Sequence, residues 1–328
     1  MRVLVTGGAG FIGSHYVRSV LADAYPAYEG AQVTVYDKLT YAGNLANLAA
    51  VSDSPRYRFL QGDVVDAALL DDVLPGHDVV INFAAETHVD RSITGAQDFV
   101  VTNVLGAQTL FNACLRAGTP RVVHIGTDEV YGSIESGSWT EDAPLLPNSP
   151  YSAAKAGAEL LARAYAVTYG LHISTTRCSN NYGPYQYPEK VIPLFVTNLL
   201  DGRKVPLYGA GANVRDWLHV DDHCRGVQLV AEQGERGQSY NIGGGREMSN
   251  VELTGHLLAA LGAGWDSVER VEDRKGHDLR YSVDYSRLAA MGYRPQHSFE
   301  DGLAETVRWY QDSEAWWRPL KEKSTVRP

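Results

Sequence analysis

Thr127-Asp128-Glu129 lies upstream of Tyr151-Ser-Ala-Ala-Lys155, and these side chains suit proton-coupled chemistry on an alcohol. Tyr and Lys four apart on a helix share one face, so an ammonium sits beside a phenol. That ammonium, reinforced by a nicotinamide cation, would pull a phenol pKa from ~10 towards neutrality. A phenol so tuned takes a proton from an alcohol hydroxyl while the carbon beneath it gives up hydride. Asp128 and Glu129 add an acid and a base that simple alcohol oxidation does not require. The set therefore points to an oxidation followed by a second, proton-dependent step.

Such groups need a frame, and the N-terminal half supplies one. Val3-Leu-Val-Thr6 reads as a buried parallel strand running into Gly7-Gly-Ala-Gly10-Phe11-Ile12-Gly13, with a helix from about Ser14. Glycines at this spacing allow a tight turn, bring backbone N–H groups to a pyrophosphate and let the helix pack on the strand. The strand Gln32–Tyr36 ends in Asp37, where a carboxylate accepts ribose hydroxyls and repels a 2′-phosphate. NAD is therefore favoured over NADP, with Lys38 next door the one opposing charge. Tyr57–Leu60 leads to Asp63, placed to meet an adenine; Asp78–Phe83 and Arg121–Ile125 also end in small or polar residues. This alternation predicts an α/β fold, a doubly wound parallel Rossmann sheet with ligands beyond the carboxyl ends of its strands. Ser149 and Pro150 suit the N-cap and first turn of the helix that carries Tyr151.

The chain has 328 residues, long for one core, so a smaller C-terminal substrate-binding domain is expected. Residues 1–179 form the Rossmann unit, with a return segment at about 217–245, and 180–328 are mainly the second unit. A net charge of −10 argues against nucleic acid or an anionic membrane as main partner. Cys114, Cys178 and Cys224 lack metal-type spacing and read as buried reduced thiols. No apolar run approaches the ~18 residues that span a bilayer. The chain opens on Met1-Arg-Val-Leu-Val without the pattern of a signal peptide, so a cytoplasmic location is expected.

The paired histidines of His219-Val-Asp-Asp-His223 resemble a metal site, but no third ligand is evident. Asp221 or Asp222 reads instead as the cap of a helix from about His223 to Ala231. Trp309-Tyr310 and Trp316-Trp317 read as anchors of C-terminal helices on a core.

Gly7-x-x-Gly10-x-x-Gly13, Thr127 and Tyr151-x-x-x-Lys155 are similar to the extended short-chain dehydrogenase/reductase family acting on nucleotide sugars. Asp37 to Asn44, Ala84 to Ser92, Thr127 to Gly132, Asn180 to Tyr185, Pro188 to Lys190, Arg215-Asp-Trp217 and Gly276 to Tyr281 resemble its dTDP-glucose 4,6-dehydratase branch. The resemblance spans nearly the whole chain. Thr87 stands where Ser is common, and the short stretch between Gly132 and Tyr151 resembles versions from antibiotic deoxysugar pathways.

The resemblance implies bound NAD, a dTDP-glucose substrate and a homodimer through helices near 100–117 and 151–168. It implies cofactor contacts at Gly7, Gly10, Phe11, Ile12, Gly13, Asp37, Lys38, Leu39, Thr40, Asp63, Val64, Phe83, Ala84, Ala85, Thr102, Tyr151, Lys155 and Asn181. Substrate contacts are implied at Thr87, Thr127, Asn180, Lys190, Val191, Arg215, Asn250, His277, Arg280 and Tyr281, with Pro206, Leu207 and Tyr208 beside a thymine. Tyr151, held by Lys155, would take the 4-hydroxyl proton, Glu129 the C5 proton, and Asp128 would protonate the departing 6-hydroxyl. A 4-epimerase of the family needs only Thr, Tyr and Lys, and a decarboxylase resembles Thr-Ser-Glu here. A silent NAD-binding sensor would have no use for a tuned acid and base.

Overall fold

The computed structural model describes residues 1–323. Twelve strands are numbered here in chain order: β1 (Arg2–Thr6), β2 (Gln32–Asp37), β3 (Tyr57–Gln61), β4 (Val79–Asn82), β5 (Arg121–Thr127) and β6 (Ile173–Cys178). They continue as β7 (Asn180–Tyr182), β8 (Val205–Tyr208), β9 (Val214–His219), β10 (Ser239–Ile242), β11 (Glu247–Ser249) and β12 (Val268–Val271). Seven form one sheet in the order β3-β2-β1-β4-β5-β6-β10, every pairing parallel. The order reverses between β1 and β4, the position where doubly wound sheets open a crevice.

Strand alternation explains why both faces are covered. Val3 and Val5 of β1 enter one apolar cluster with the helices Phe11–Leu21 and Val220–Gln233. Leu4 enters the opposite cluster with Ala107–Ala117 and Pro150–Thr168. Residues two apart share a face, so an apolar run with no polar alternation must be buried on both sides.

The short sheets β11-β9-β7 and β12-β8 sit with a third apolar cluster. Tyr310 and Trp317 are buried there, with Trp309 and Trp316 packed against them, as the aromatic pairs suggested. The chain visits this region and returns: β9 leads straight into Val220–Gln233, which packs on the main sheet, and β10 extends that sheet at its edge.

Two boundaries differ from the sequence reading. The first helix begins at Phe11 rather than Ser14, because extended Gly10 already supplies the carbonyl that accepts from the Ser14 N–H at 3.0 Å. The helix expected from His223 starts at Val220, and its cap is His219, whose Nδ1 accepts from the Asp221 N–H at 3.3 Å. Asp222 instead pairs with Arg225 and accepts from the N–H groups of Gln296 and His297. The helix carrying Tyr151 begins as expected at Ser149, with a reciprocal capping box to Ser152. The three cysteines are free and buried.

Candidate active site

The turn after β1 is built on steric necessity. Gly7 has φ of +66°, and a Cβ there would lie 2.6 Å from the Ala84 nitrogen at the end of β4. A Cβ at Gly13 would run into the Gly7 carbonyl and lie 2.9 Å from the Gly8 Cα. Only glycines let the helix start this close to two strand ends. At the tip of β2, Asp37 accepts from Ala9 N at 3.0 Å and from Leu39 N at 2.8 Å, one bond to each oxygen. Burial lifts its carboxyl, and these two bonds oppose the lift. Each oxygen keeps a lone pair for a ribose hydroxyl. Lys38 is answered by Asp63 at 2.6 Å, so the charge that argued for a 2′-phosphate already has a partner. These residues fit a dinucleotide with an unphosphorylated ribose.

One cleft, about 1690 Å³ including its open mouth, runs from this turn to the ends of β5 and β6. Gly7, Gly10, Phe11, Ile12 and Gly13 line one end, with Asp37, Lys38, Thr40, Asp63 and Val64. Phe83, Ala84, Ala85, Thr87 and Thr102 form a wall. Thr127, Asp128, Glu129, Tyr151, Lys155, Asn180, Asn181 and Lys190 close the other end. Leu39 does not line it; with φ of +57° it packs against the core and offers its N–H to Asp37.

The expected acid and base, Asp128 and Glu129, occupy a short turn, Asp128–Tyr131, directly after β5. Thr127 Oγ1 donates to Asp128 Oδ1 at 3.3 Å and accepts from Glu129 N at 3.3 Å. Asp128 Oδ2 is buried with no partner among the described residues. Burial, then the neighbouring Glu129 and Asp216, hold the Asp128 carboxyl well above the usual carboxylate range. Glu129 is also raised by burial, but Arg274, Arg215 and Lys190 pull it back. Environments that push adjacent carboxyls apart assign them different jobs. Asp128 is equipped to hold a proton and Glu129 to accept one.

Lys155 donates to the Ile125 carbonyl at 2.5 Å, and burial lowers its ammonium to about 8. Tyr151 hydrogen-bonds Thr127, yet burial and the charge of Glu129 hold its phenol well above 10.0. The expected lowering rests on Lys155 and a nicotinamide cation together, and the chain supplies only the first. In the chain alone desolvation outweighs the lysine, so the lowering requires a further positive charge brought by a bound cofactor.

The residues from the second half assemble unevenly. Arg215 lies over the Tyr281 ring at 4.2 Å, donates to the Asp278 carbonyl at 3.0 Å and acts electrostatically on Glu129. Lys190 reaches the Thr87 carbonyl at 2.9 Å, bridging the two halves of the cleft. His277 pairs with Asp273 at 2.6 Å and meets the edge of Tyr208 at 6.1 Å. Arg280 is committed to Glu247, with two bonds of 2.7 Å. Pro206 is half-buried beside buried Leu207, Asn250 opens the helix Asn250–Leu261, and Val191 packs on the third core. Of these second-half residues only Lys190 lines the cleft itself.

Several lining residues escaped the sequence reading. Glu189 is buried, takes a bond from Tyr41 Oη at 3.0 Å and pairs with Arg91 at 3.3 Å; it sits inside a quoted motif, which was the available signal. Trp316, read as a core anchor, also lines the cleft and donates to Asn47 at 2.9 Å. No local pattern announces that contact, because 269 residues separate the partners.

The histidine motif finds company that the sequence did not reveal. Ligand atoms of His219, His297 and Glu305 lie within 4.8 Å of one another. However, His219 Nδ1 accepts from a backbone N–H, which places the ring proton on Nε2. A metal at Nε2 would have to displace that proton and release the helix cap, so the arrangement serves as structure.

A parallel sheet with a glycine-rich first turn and a buried Tyr-x-x-x-Lys beside it defines a dinucleotide-dependent enzyme of the short-chain dehydrogenase/reductase class. Residues 4–306 match the family model described as GDP-mannose 4,6 dehydratase, and the chain belongs to that family. It is 57% identical to a dTDP-glucose 4,6-dehydratase of Streptomyces niveus, covering 98% of this chain and 96% of the relative. A structure of DesIV (dTDP-glucose 4,6-dehydratase) from Streptomyces venezuelae with NAD bound superposes with a TM-score of 0.97 at 64% identity, covering 98% of this chain and 100% of that one. UDP-glucose 4-epimerase from Thermotoga maritima shares the fold at a TM-score of 0.88 and 30% identity, covering 96% and 100%.

Proposed function

We propose that this chain is an NAD-dependent hydro-lyase that converts dTDP-glucose to dTDP-4-keto-6-deoxyglucose in deoxysugar biosynthesis. The observation that carries the reading is the Asp128–Glu129 pair, two adjacent buried carboxyls of which one is raised well above the usual carboxylate range and the other is drawn back by three cations. An epimerase has no task for it. Bound NAD supplies the acceptor for the C4 hydride and later its donor to C6. Tyr151 takes the 4-hydroxyl proton, with Thr127 bonded at the reacting oxygen. The resulting ketone acidifies C5–H, and Glu129 removes that proton. Asp128 delivers its own proton to the 6-hydroxyl as the C6–O bond breaks and water leaves, and when hydride is returned to C6 the proton held by Glu129 goes back to C5. Residues 206–208 and 277–281, with Asn250 and Arg215, are the proposed contacts of the nucleoside diphosphate.

The test is turnover of dTDP-glucose by purified protein without added cofactor, followed by mass spectrometry. Loss of one water with no net reduced cofactor supports the dehydratase. Conversion to the galactose isomer without mass change would overturn it in favour of an epimerase.

A homodimer is proposed through the face where Val101, Leu105, Leu160 and Val167 are exposed on the two neighbouring helical segments. The relatives from Streptomyces support an antibiotic-sugar pathway. Among the described residues no helix is long and apolar enough to cross a membrane, and a cytoplasmic location is proposed.

A further inference from the structure

We propose that Tyr131, Arg177 and Glu159 form a brace that fixes the acid–base turn against the helix carrying the phenol, with Tyr131 a positioning residue for water elimination. This rests on the dehydratase reading. Tyr151, Lys155 and Glu159 fall on one stripe of a single helix, four residues apart. The first two face the cleft. Glu159 lies one turn further from it and is buried against Arg177 of β6. Arg177 Nε donates to both Glu159 oxygens, at 2.8 and 3.0 Å, and Nη2 also bonds Glu159.

The other edge of the same guanidinium reaches the turn. Arg177 Nη1 donates to Tyr131 Oη and to the Glu141 carbonyl, the latter at 2.9 Å. Tyr131 Oη passes its own proton on to Asn241 Oδ1 at 2.8 Å. Asn241 is fixed in turn by bonds to the Trp139 and Asp284 carbonyls at 3.0 and 2.9 Å. Tyr131 ends the turn that begins with Asp128, two residues after Glu129. At its start the turn is held by two 3.3 Å bonds to Thr127 Oγ1. A bidentate, charge-assisted pair sets angle as well as distance, which an apolar contact in the same place would not.

The anchors divide by chemical step. Thr127 is a residue of β5, and Lys155 is pinned to the Ile125 carbonyl of that strand, so the oxidation groups are held by the sheet itself. Asp128 and Glu129 lie past the end of the strand. A catalytic group displaced by ~1 Å can lose about 100-fold in rate. Removing the Tyr131 hydroxyl should therefore slow elimination and spare oxidation. Simple stabilisation of the fold would affect both steps alike.

Tyr131→Phe separates these cases in single-turnover experiments on the NAD-loaded protein. Reduced-nicotinamide absorbance reads C4 oxidation, and mass spectrometry reads water loss. Oxidation should stay within about threefold of the unmodified protein while elimination falls by about 30- to 100-fold, so reduced cofactor accumulates transiently. KM should change little. Equal slowing of both steps, or no change in either, overturns the brace. If Tyr131→Phe does not fold, Glu159→Gln keeps the shape and removes the charge; the same imbalance is expected and parallel slowing again refutes. If the unmodified protein does not release water, the dehydratase reading fails, independently of the brace.

Discussion

Replacing Lys155 with Met should stabilise the cofactor-free protein at neutral pH while abolishing its activity. Burial lowers the Lys155 ammonium from 10.5 to about 8. Below pH 8 both folded and unfolded chains carry this charge, and the folded state pays the full desolvation penalty, roughly 3 kcal/mol at pH 7. Between those two values the unfolded chain binds more protons, so the penalty fades as pH rises and has dropped by about 1 kcal/mol at pH 9. The substitution also leaves the Ile125 carbonyl without its 2.5 Å donor. An unsatisfied buried acceptor costs about 1–3 kcal/mol, which leaves a net gain of roughly 0–2 kcal/mol at pH 7. Urea unfolding of cofactor-free protein at one protomer concentration, at pH 7 and pH 9, measures both quantities. The advantage of the variant should shrink by about 1 kcal/mol between the two pH values. A difference that does not move with pH, or a loss beyond about 2 kcal/mol at pH 7, would refute the claim that Lys155 is held at a desolvation penalty.

Asp128→Asn should likewise raise the melting temperature at neutral pH. Its carboxyl is lifted in the folded chain, so the unmodified protein loses stability as pH rises from the unfolded value near 4 towards the folded one. The same variant should still oxidise substrate but release water about 10²–10⁴-fold more slowly, read by rapid-mixing absorbance and mass spectrometry. Arg215→Met removes one of three cations facing Glu129, so the acidic limb of the elimination rate should move to higher pH. It should also raise KM by about tenfold through the lost charge-assisted contact. Asp37→Ala should weaken retention of NAD and narrow the preference over NADP, measured by cofactor release on gel filtration and by competition binding.

The parallel sheet, its first turn and the capped helix at Ser149 could be read because each depends on near neighbours in sequence. A glycine that must sit 2.6 Å from a strand end, or a serine that bonds the N–H three residues on, leaves a local trace. The histidine cap could not be read so easily. Asp and Asn are the commoner caps, and only the fold shows that Asp222 is committed to Arg225 and the backbone at 296–297. Distance in sequence hid the Trp316–Asn47 bond and the joining of Glu159 to Tyr131 through Arg177. The raised phenol of the chain alone was hidden for another reason. Spacing reports that Lys155 shares a face with Tyr151, but not that both are desolvated together.

That shared desolvation bears on how the site avoids unproductive chemistry. Before a cation is present, burial and Glu129 raise the Tyr151 phenol, and burial, Glu129 and Asp216 raise the Asp128 carboxyl beside it, both shifts favouring the protonated form. Neither group can then act as a base on a stray ligand. A positive cofactor ring would favour the phenolate, and the ketone formed next is what makes C5–H acidic enough for a carboxylate. Each proton transfer thus depends on a charge or a carbonyl produced by the step before it. Arg215, Arg274 and Lys190 all bias Glu129 in the opposite sense; Arg215 acts on Asp128 as well, but there burial, Glu129 and Asp216 outweigh it. Two adjacent carboxyls in the same charge environment would lose that order. If Arg215→Met and Asp128→Asn are combined, the reaction should stop at the oxidised sugar, with C5 hydrogen exchange into deuterated solvent slower than in Asp128→Asn alone. Unchanged exchange would show that the cations serve the diphosphate only, and that the ordering lies elsewhere.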